Sequence, residues 1–199
     1  MSTRYLRASA AGVFFAILIS ACASTLPSLH GSVYNPPREA PPLNLQTTSG
    51  ADFELSSYAG DVVLVYFGYT YCPDVCPATL AQVKLAFETL GSQADELHLV
   101  MVTVDLDRDT PQVLQDYLGR FHPEFVGLRG ESDALESVLA DYGVFAQKEP
   151  SDDADAYLVT HTARLFVIDR DGLLKTNYTF GTPLEEIQAD LKVLLSEQR

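Results

Sequence analysis

Hydrophobic positions along this chain follow two alternating periods, which predicts strands and helices in succession. Continuous apolar runs over residues 62–67 and 97–104 predict two strands that are buried on both faces. Between them, apolar residues at helical spacing predict a helix that has Pro77 at its first position and ends at Gly91. The chain therefore has the pattern of a domain that alternates strands with helices.

The remaining sequence extends this pattern to its end. Thr110 and Pro111 suit the N-cap and first position of a second helix. The other predicted elements are a hairpin over 43–58, a strand over 125–128, a helix over 132–142, a long strand over 157–168 with a partner over 173–180, and a helix over 183–197. We expect an α/β fold in which helices flank a central mixed β-sheet, with an N-terminal β-hairpin.

Two cysteines, Cys72 and Cys76, follow the first predicted core strand directly. Thiols four positions apart can share one side of a first helical turn, close enough to hold a soft metal ion or to form a disulfide. Cysteines can also simply fill space in a core. The flanking prolines and Asp74 favour an exposed turn instead, and a cysteine pair between a core strand and its helix is the arrangement of thioredoxin.

The cysteine pair suits copper chemistry when its surroundings are considered. The start of a helix lowers the pKa of a thiol, and two thiolates form a soft donor set that selects Cu(I) over hard cations. Such a site calls for a third donor, and the best candidate is His161, just before the most apolar part of its strand. Taken alone, a single histidine is more often a surface or core residue than a ligand.

The first 42 residues read as a targeting segment and a tether. Arg4 and Arg7 precede an apolar stretch that is too short for a comfortable membrane span, and the stretch ends in Ser-Ala-Cys at Cys22. This end resembles the bacterial lipobox, which implies a lipoprotein signal peptide over 1–21 and a lipidated Cys22. Cleavage by an ordinary signal peptidase and an uncleaved anchor are the alternatives.

The predicted domain organisation follows from this targeting segment. Residues 22–42 are rich in serine and proline and predict a flexible tether, which leaves 43–199 as the folded domain. We expect the domain to be exported, held at a bacterial membrane by its lipid and facing the periplasm or the cell exterior. Free thiols outside the cytoplasm would require a dedicated reductant.

The charge of the chain excludes one class of partner. A formal net charge of −14 provides no basic surface for phosphates, so we expect no binding to nucleic acid. The acidic surface keeps the domain soluble or attracts basic partner proteins.

Four sequence blocks together resemble a known family. The segment 65–77, which contains Cys-Pro-Asp-Val-Cys-Pro, is similar to the signature of the Sco/SenC/PrrC family, the thioredoxin-fold copper proteins of cytochrome oxidase assembly. Residues 102–105, 108–111 and 161–172 resemble further blocks of that family in the same order. The family often has Asp immediately before its histidine, whereas this chain has Thr160.

The resemblance implies a copper chaperone. Carried over by position, the ligands of one copper ion, as Cu(I) or Cu(II), are Cys72, Cys76 and His161. The implied recipient is the copper-site subunit of cytochrome c oxidase (its CuA site), and a periplasmic copper carrier or a thiol reductant is a further implied partner.

Other functions stay open on the sequence alone. A thiol–disulfide oxidoreductase would use Cys72 and Cys76 to reduce cysteines of an oxidase subunit or of another exported partner. A peroxidase of the peroxiredoxin type is disfavoured, because no Pro-x-x-x-Thr-x-x-Cys pattern precedes either thiol. A redox or copper sensor would need a signalling partner.

Overall fold

The computed structural model describes residues 28–152 and 156–197, which fold around a central β-sheet. The strands are β1 (Ser32–Glu39), β2 (Gln46–Thr47), β3 (Val62–Gly68), β4 (Leu97–Thr103), β5 (Val126–Arg129), β6 (Ala146–Lys148), β7 (Val159–His161), β8 (Arg164–Ile168) and β9 (Leu173–Thr179). The helices are α1 (Val75–Leu90), α2 (Pro111–Gly119), α3 (Ser132–Tyr142) and α4 (Leu184–Ser196).

The sheet has seven strands in the order β1-β9-β8-β3-β4-β5-β2. The central strands β3, β4 and β5 are parallel, whereas β8, β9 and β1 on one side and β2 on the other are antiparallel to their neighbours. The prediction of a mixed sheet flanked by helices is confirmed. The N-terminal hairpin is short, because only an isolated bridge from Gln46 to Asp52 forms its second arm.

Strand β3 lies at the centre of the core, and all seven of its residues are buried. Because side chains alternate across a strand, neighbouring aromatic residues of β3 serve opposite faces of the sheet. Phe67 packs against Tyr142 of α3 and Phe166 of β8, at ring centroid distances of 5.3 and 5.8 Å. Tyr66 points to the other face, towards the start of α1, so β3 ends directly beneath the cysteine pair.

Helices α1 and α2 begin and end close to the predicted positions. Asp74 is the N-cap of α1, so Pro77 occupies the third helical position and not the first, and Gly91 ends the helix with a φ of +56°. The Thr110 hydroxyl caps α2 by accepting the Val113 amide proton at 3.3 Å. In α1, by contrast, the Asp74 side chain makes no capping hydrogen bond, so the amides near the start of the helix are available to the cysteine sulfurs.

Part of the predicted tether is a strand instead. Residues 32–39 form β1, which pairs with the outer edge of β9 and satisfies backbone groups that would otherwise be exposed. Pro36 and Pro37, which favoured a tether, lie where the register slips between Val33 and Arg38, and such an irregular edge tolerates proline. The predicted signal peptide and Cys22 lie outside the described residues.

The prediction of one long strand over 157–168 is wrong. The segment forms β7 and β8, and β7 leaves the main sheet to pair with β6 in a separate two-stranded sheet. Thr162 redirects the chain, because its amide donates to the Phe145 carbonyl at 2.9 Å and its hydroxyl accepts the Phe145 amide at 3.0 Å. His161 is consequently the last residue of a small hairpin, which we call the β6–β7 hairpin.

The described residues contain no helix with the length and apolar character needed to cross a bilayer. The acidic segment that precedes β7 is described only in part, since residues 153–155 lie outside the described ranges.

The first residues of β1 are held by a buried carboxylate in α4. Asp190, which is 1% exposed, accepts the amide protons of His30 and Gly31 at 2.8 and 3.0 Å and the Tyr178 hydroxyl proton at 3.0 Å. The His30 Nδ1 atom lies 2.7 Å from the same carboxylate. This contact ties the N-terminal segment to the opposite end of the chain.

We expect Asp190→Ala to lower the free energy of unfolding by about 2–3 kcal/mol, because the buried Tyr178 hydroxyl and two amides lose their acceptor. Urea denaturation of the full-length chain in mild detergent measures this loss. Glu185→Ala, at an exposed position of the same helix, serves as the control. Equal losses in the two variants would show that Asp190 does not hold the N-terminal segment.

Candidate metal centre

Three side chains from separate parts of the chain meet at the carboxyl end of β3. Cys72 lies in the loop after β3, Cys76 is the second residue of α1, and His161 ends β7. Their potential ligand atoms all lie within 4.8 Å of one another, and Cys76 Sγ is 3.5 Å from His161 Nε2. The structure thus brings together all three of the residues that the sequence singled out.

The two cysteines are free thiols in different surroundings. Cys72 is half-buried, whereas Cys76 is fully buried because the first turn of α1 faces β3. The expected exposed turn is therefore correct for Pro73 and Asp74 but wrong for Cys76. The Cys76 amide donates to Cys72 Sγ at 3.4 Å, so the helix start provides the more exposed sulfur with a hydrogen bond.

The two sulfurs have opposite protonation preferences. A hydrogen bond from the Cys76 thiol lowers the pKa of Cys72 to about 3, and His161 and the amides of Cys76 and Asp74 act in the same direction, against burial. The hydrogen bond to Cys72, together with burial, raises the pKa of Cys76. The pair is therefore a thiolate at Cys72 beside a thiol at Cys76.

Gly68, the last residue of β3, leaves the space that the Cys76 sulfur requires. A Cβ atom at this position would lie 3.0 Å from Cys76 Sγ and 2.7 Å from Tyr66 Cε1. A glycine at the end of a strand often marks such a close approach. The sequence contained this signal, since Gly68 directly precedes the cysteine loop.

The imidazole of His161 is oriented by packing. Its ring lies edge-on to Tyr69 and Tyr66, with ring centroid distances of 5.8 and 6.3 Å. Its Nδ1 atom is buried and has no hydrogen-bond partner among the described residues. Metal-binding histidines usually donate from their second nitrogen to a carboxylate, a carbonyl or water, so here the position of the strand itself must direct the ring.

Comparison with known proteins decides the family. A family model described as SCO1/SenC matches residues 33–196. The chain belongs to the SCO1/SenC family. The SCO2-like protein of Rickettsia felis is 34% identical over 154 residues, which cover 72% of this chain and 75% of the relative.

Two solved structures of the family superpose on most of the chain. The structure of Bradyrhizobium japonicum ScoI with copper bound is 34% identical, with a TM-score of 0.68, and the match covers 79% of this chain and 97% of that one. The solution structure of apo Sco1 from Thermus thermophilus is 33% identical, with a TM-score of 0.73, and the match covers 85% and 99%. These matches confirm the thioredoxin-like fold that the sequence predicted for this SCO1/SenC protein.

Buried Asp109 braces the cysteine loop of this SCO1/SenC protein. Its carboxylate accepts hydrogen bonds from the Thr70 hydroxyl at 2.6 Å, the Thr70 amide at 3.0 Å and the Thr103 hydroxyl at 2.5 Å. Burial raises the pKa of Asp109, and these hydrogen bonds oppose the rise. Because Thr70 lies two residues before Cys72, Asp109 fixes the path by which the loop reaches the site. The sequence analysis placed Asp109 in a block that resembles the family but assigned it no role.

Other acidic and aromatic residues of the neighbouring loops differ in their exposure. Asp105 is buried beside the site, whereas Asp107 is exposed and pairs with Lys148. Tyr69 packs on the metal centre, but Tyr71 is 53% exposed. The other described histidines take part in other contacts, with Asp190 for His30, Asp61 for His98 and the Glu124 amide for His122.

The asymmetry of the thiols is open to direct measurement. At pH 5 we expect iodoacetamide to alkylate Cys72 at least about tenfold faster than Cys76, because only the thiolate is nucleophilic and Cys72 stays ionised above a pKa of about 3. Mass spectrometry of the quenched peptides gives both rates. Cys76→Ala removes the main hydrogen-bond donor and should slow Cys72 at pH 5. Equal rates for the two cysteines would contradict the assignment.

The space at Gly68 gives a second prediction. We expect Gly68→Ala to lower the free energy of unfolding by about 1–3 kcal/mol and to displace the Cys76 sulfur, because the new Cβ overlaps Tyr66. Thermal denaturation and the alkylation rates measure the two effects. Gly119→Ala is the matched control, since a Cβ there meets nothing within 4 Å. An equally mild effect at both glycines would refute the close approach.

Proposed function

We propose that this chain is a membrane-anchored copper chaperone that carries one copper ion to the copper-site subunit of cytochrome c oxidase. The observation that carries the proposal is the convergence of Cys72, Cys76 and His161, whose ligand atoms lie within 4.8 Å of one another. Metal–ligand bonds to sulfur and imidazole nitrogen are about 2.0–2.3 Å long in comparable sites, so small side-chain rotations bring all three atoms onto one ion.

The donor set suits a soft ion that is later released. Two sulfurs and one imidazole nitrogen favour copper over hard cations. Within the described residues, the cluster contains three such ligands and no fourth His, Cys, Asp or Glu. Three donors leave room for a ligand of the recipient, so the ion can pass by ligand exchange. Copper is bound in the related ScoI structure from Bradyrhizobium japonicum, which supports this choice of metal.

The surroundings of the site support docking of another protein. Four of the exposed large hydrophobic side chains belong to residues next to the metal centre or its supporting strands: Tyr71, Phe145, Leu158 and Phe180. A groove of about 250 Å³ beside them is lined by Cys72, Asp74, Leu158 and His161, among others. Exposed apolar residues around a functional centre favour contact with a partner surface.

Anchoring completes the proposal. If Cys22 carries lipid, residues 23–29 separate the membrane anchor from His30, which Asp190 holds against the domain. A chain of this length spans at most about 30 Å. The domain would then work close to the outer face of the membrane that holds its recipient.

Copper binding by three variants tests the site. We expect the reduced wild-type chain to bind one Cu(I), and Cys72→Ser, Cys76→Ser and His161→Ala each to weaken binding by at least about tenfold, because each removes one donor. Competition with a chromophoric Cu(I) chelator measures the affinities. His98→Ala removes a histidine that contacts Asp61, outside the metal cluster, and should leave the affinity unchanged. Unchanged affinity in all three site variants would rule this centre out.

A second candidate function is thiol–disulfide exchange with an exported partner. The low pKa of Cys72 and the buried thiol of Cys76 favour it, because they supply an attacking thiolate and a resolving thiol. His161 distinguishes the two functions, since exchange between dithiols does not require a metal ligand. A His161→Ala chain that keeps full disulfide reductase activity while losing copper would separate them.

A further inference from the structure

A caged guanidinium lies beside the metal centre. Arg108, in the loop between β4 and α2, has a side chain that is only 11% exposed, and its Nε donates to Asp105 Oδ2 at 2.6 Å. Three tyrosine rings surround the guanidinium carbon, with centroids at 3.6 Å for Tyr157, 4.8 Å for Tyr71 and 5.8 Å for Tyr69. Such cation–π contacts are stronger where water is excluded.

The cage is fastened to the segment that carries His161. Arg108 Nη1 donates to the Tyr157 carbonyl at 2.9 Å, and the Tyr157 hydroxyl donates to Asp105 Oδ1 at 2.5 Å. Tyr157 is therefore held at both its backbone and its hydroxyl group. It lies four residues before His161, in the loop that joins β6 to β7.

The same cage reaches the segment that carries the cysteines. Tyr71 directly precedes Cys72 and forms one wall of the cage. Tyr69 forms another wall, accepts the Val159 amide proton at 3.2 Å and packs on the His161 ring. The guanidinium thus bridges two segments that have no covalent connection near the site.

We propose that Arg108 is a positioning residue that holds the β6–β7 hairpin against the cysteine loop, so that His161 can complete the metal site. His161 needs this support because its Nδ1 has no hydrogen-bond partner in the described part of the chain. The expected effect of Arg108 on copper binding rests on the proposed function. Its effect on the placement of the hairpin does not require a metal ion. If Arg108 only stabilised the fold, its removal would neither loosen the hairpin selectively nor weaken the metal site.

Arg170 supplies a matched control. It is also largely buried, with a side chain 16% exposed, and it donates to the Gly60 carbonyl at 2.9 Å and to Glu96 at 2.6 Å. It follows β8 at the end of the sheet opposite the metal centre. Arg170→Ala and Arg108→Ala should therefore both lower stability, but only Arg108→Ala should affect the hairpin and the site.

The first measurement is hydrogen exchange in the metal-free full-length chain, in mild detergent. We expect the Val159 amide to exchange at least about tenfold faster in Arg108→Ala, because the segment opens locally, and to change less than about twofold in Arg170→Ala. The Val65 amide, in the central strand, reports any global loss of stability. Unchanged Val159 exchange, or the same increase in both variants, would overturn the proposal.

The second measurement concerns the metal. With Cu(II), we expect Arg108→Ala to lose or weaken the imidazole nitrogen signature in electron paramagnetic resonance and to bind at least about tenfold more weakly. Cu(I) affinity, which the two sulfurs dominate, should fall less. Arg108→Lys keeps the charge but not the planar fork and should recover the signature only in part.

The outcomes separate the two proposals. If the wild-type chain binds no copper, the proposed function fails. The exchange measurement still tests whether Arg108 holds the β6–β7 hairpin against the cysteine loop. If Arg108→Ala does not fold, Tyr157→Phe keeps the ring and the carbonyl contact but loses the Asp105 hydrogen bond. In that variant the Val159 amide should exchange about threefold faster, and an unchanged rate would count against the positioning role of Arg108.

Discussion

The contact between Cys76 Sγ and His161 Nε2 joins residues that are 85 positions apart, and the metal centre depends on it. Closing a loop of this length costs conformational entropy, which a single contact of 3.5 Å between side chains does not repay. The sheet bears most of that cost, because β3 and β8 are neighbours and bring the cysteine loop and the histidine segment to the same edge. Only the final placement of the imidazole is left to local contacts.

The loop between β4 and α2 supplies much of that local support on both sides. Asp109 fixes Thr70, two residues before Cys72, while Asp105 and Arg108 fix Tyr157, four residues before His161. Both sets of contacts start from one segment, residues 105–109, which is followed by the α2 cap at Thr110. The candidate site therefore has its three residues on two segments, and a third segment makes hydrogen bonds to both.

Much of this arrangement was predictable from the sequence, and the exceptions have physical causes. Apolar periodicity gave β3, β4 and the four helices, and the cysteine spacing with the family blocks gave the three site residues. The sequence could not show that the segment before β8 leaves the sheet. The hydrogen bond between Thr162 and Phe145 that redirects this segment forms only in the folded protein. Arg108 lies in a block that resembles the family, but its contacts could not be predicted, since only the tertiary fold brings its partners together.

The burial of the site residues orders the events of metal exchange in the proposed function. Cys72 and His161 are half-buried and border the groove, so a recipient can reach them, whereas Cys76 is fully enclosed beneath the end of β3. Cys76 must also lose a proton that its raised pKa retains, so its bond to the ion forms at the greatest cost. A recipient that approaches through the groove would therefore replace the two outer ligands first. In that proposal, release of the ion would return the proton to Cys76 and restore the thiolate at Cys72.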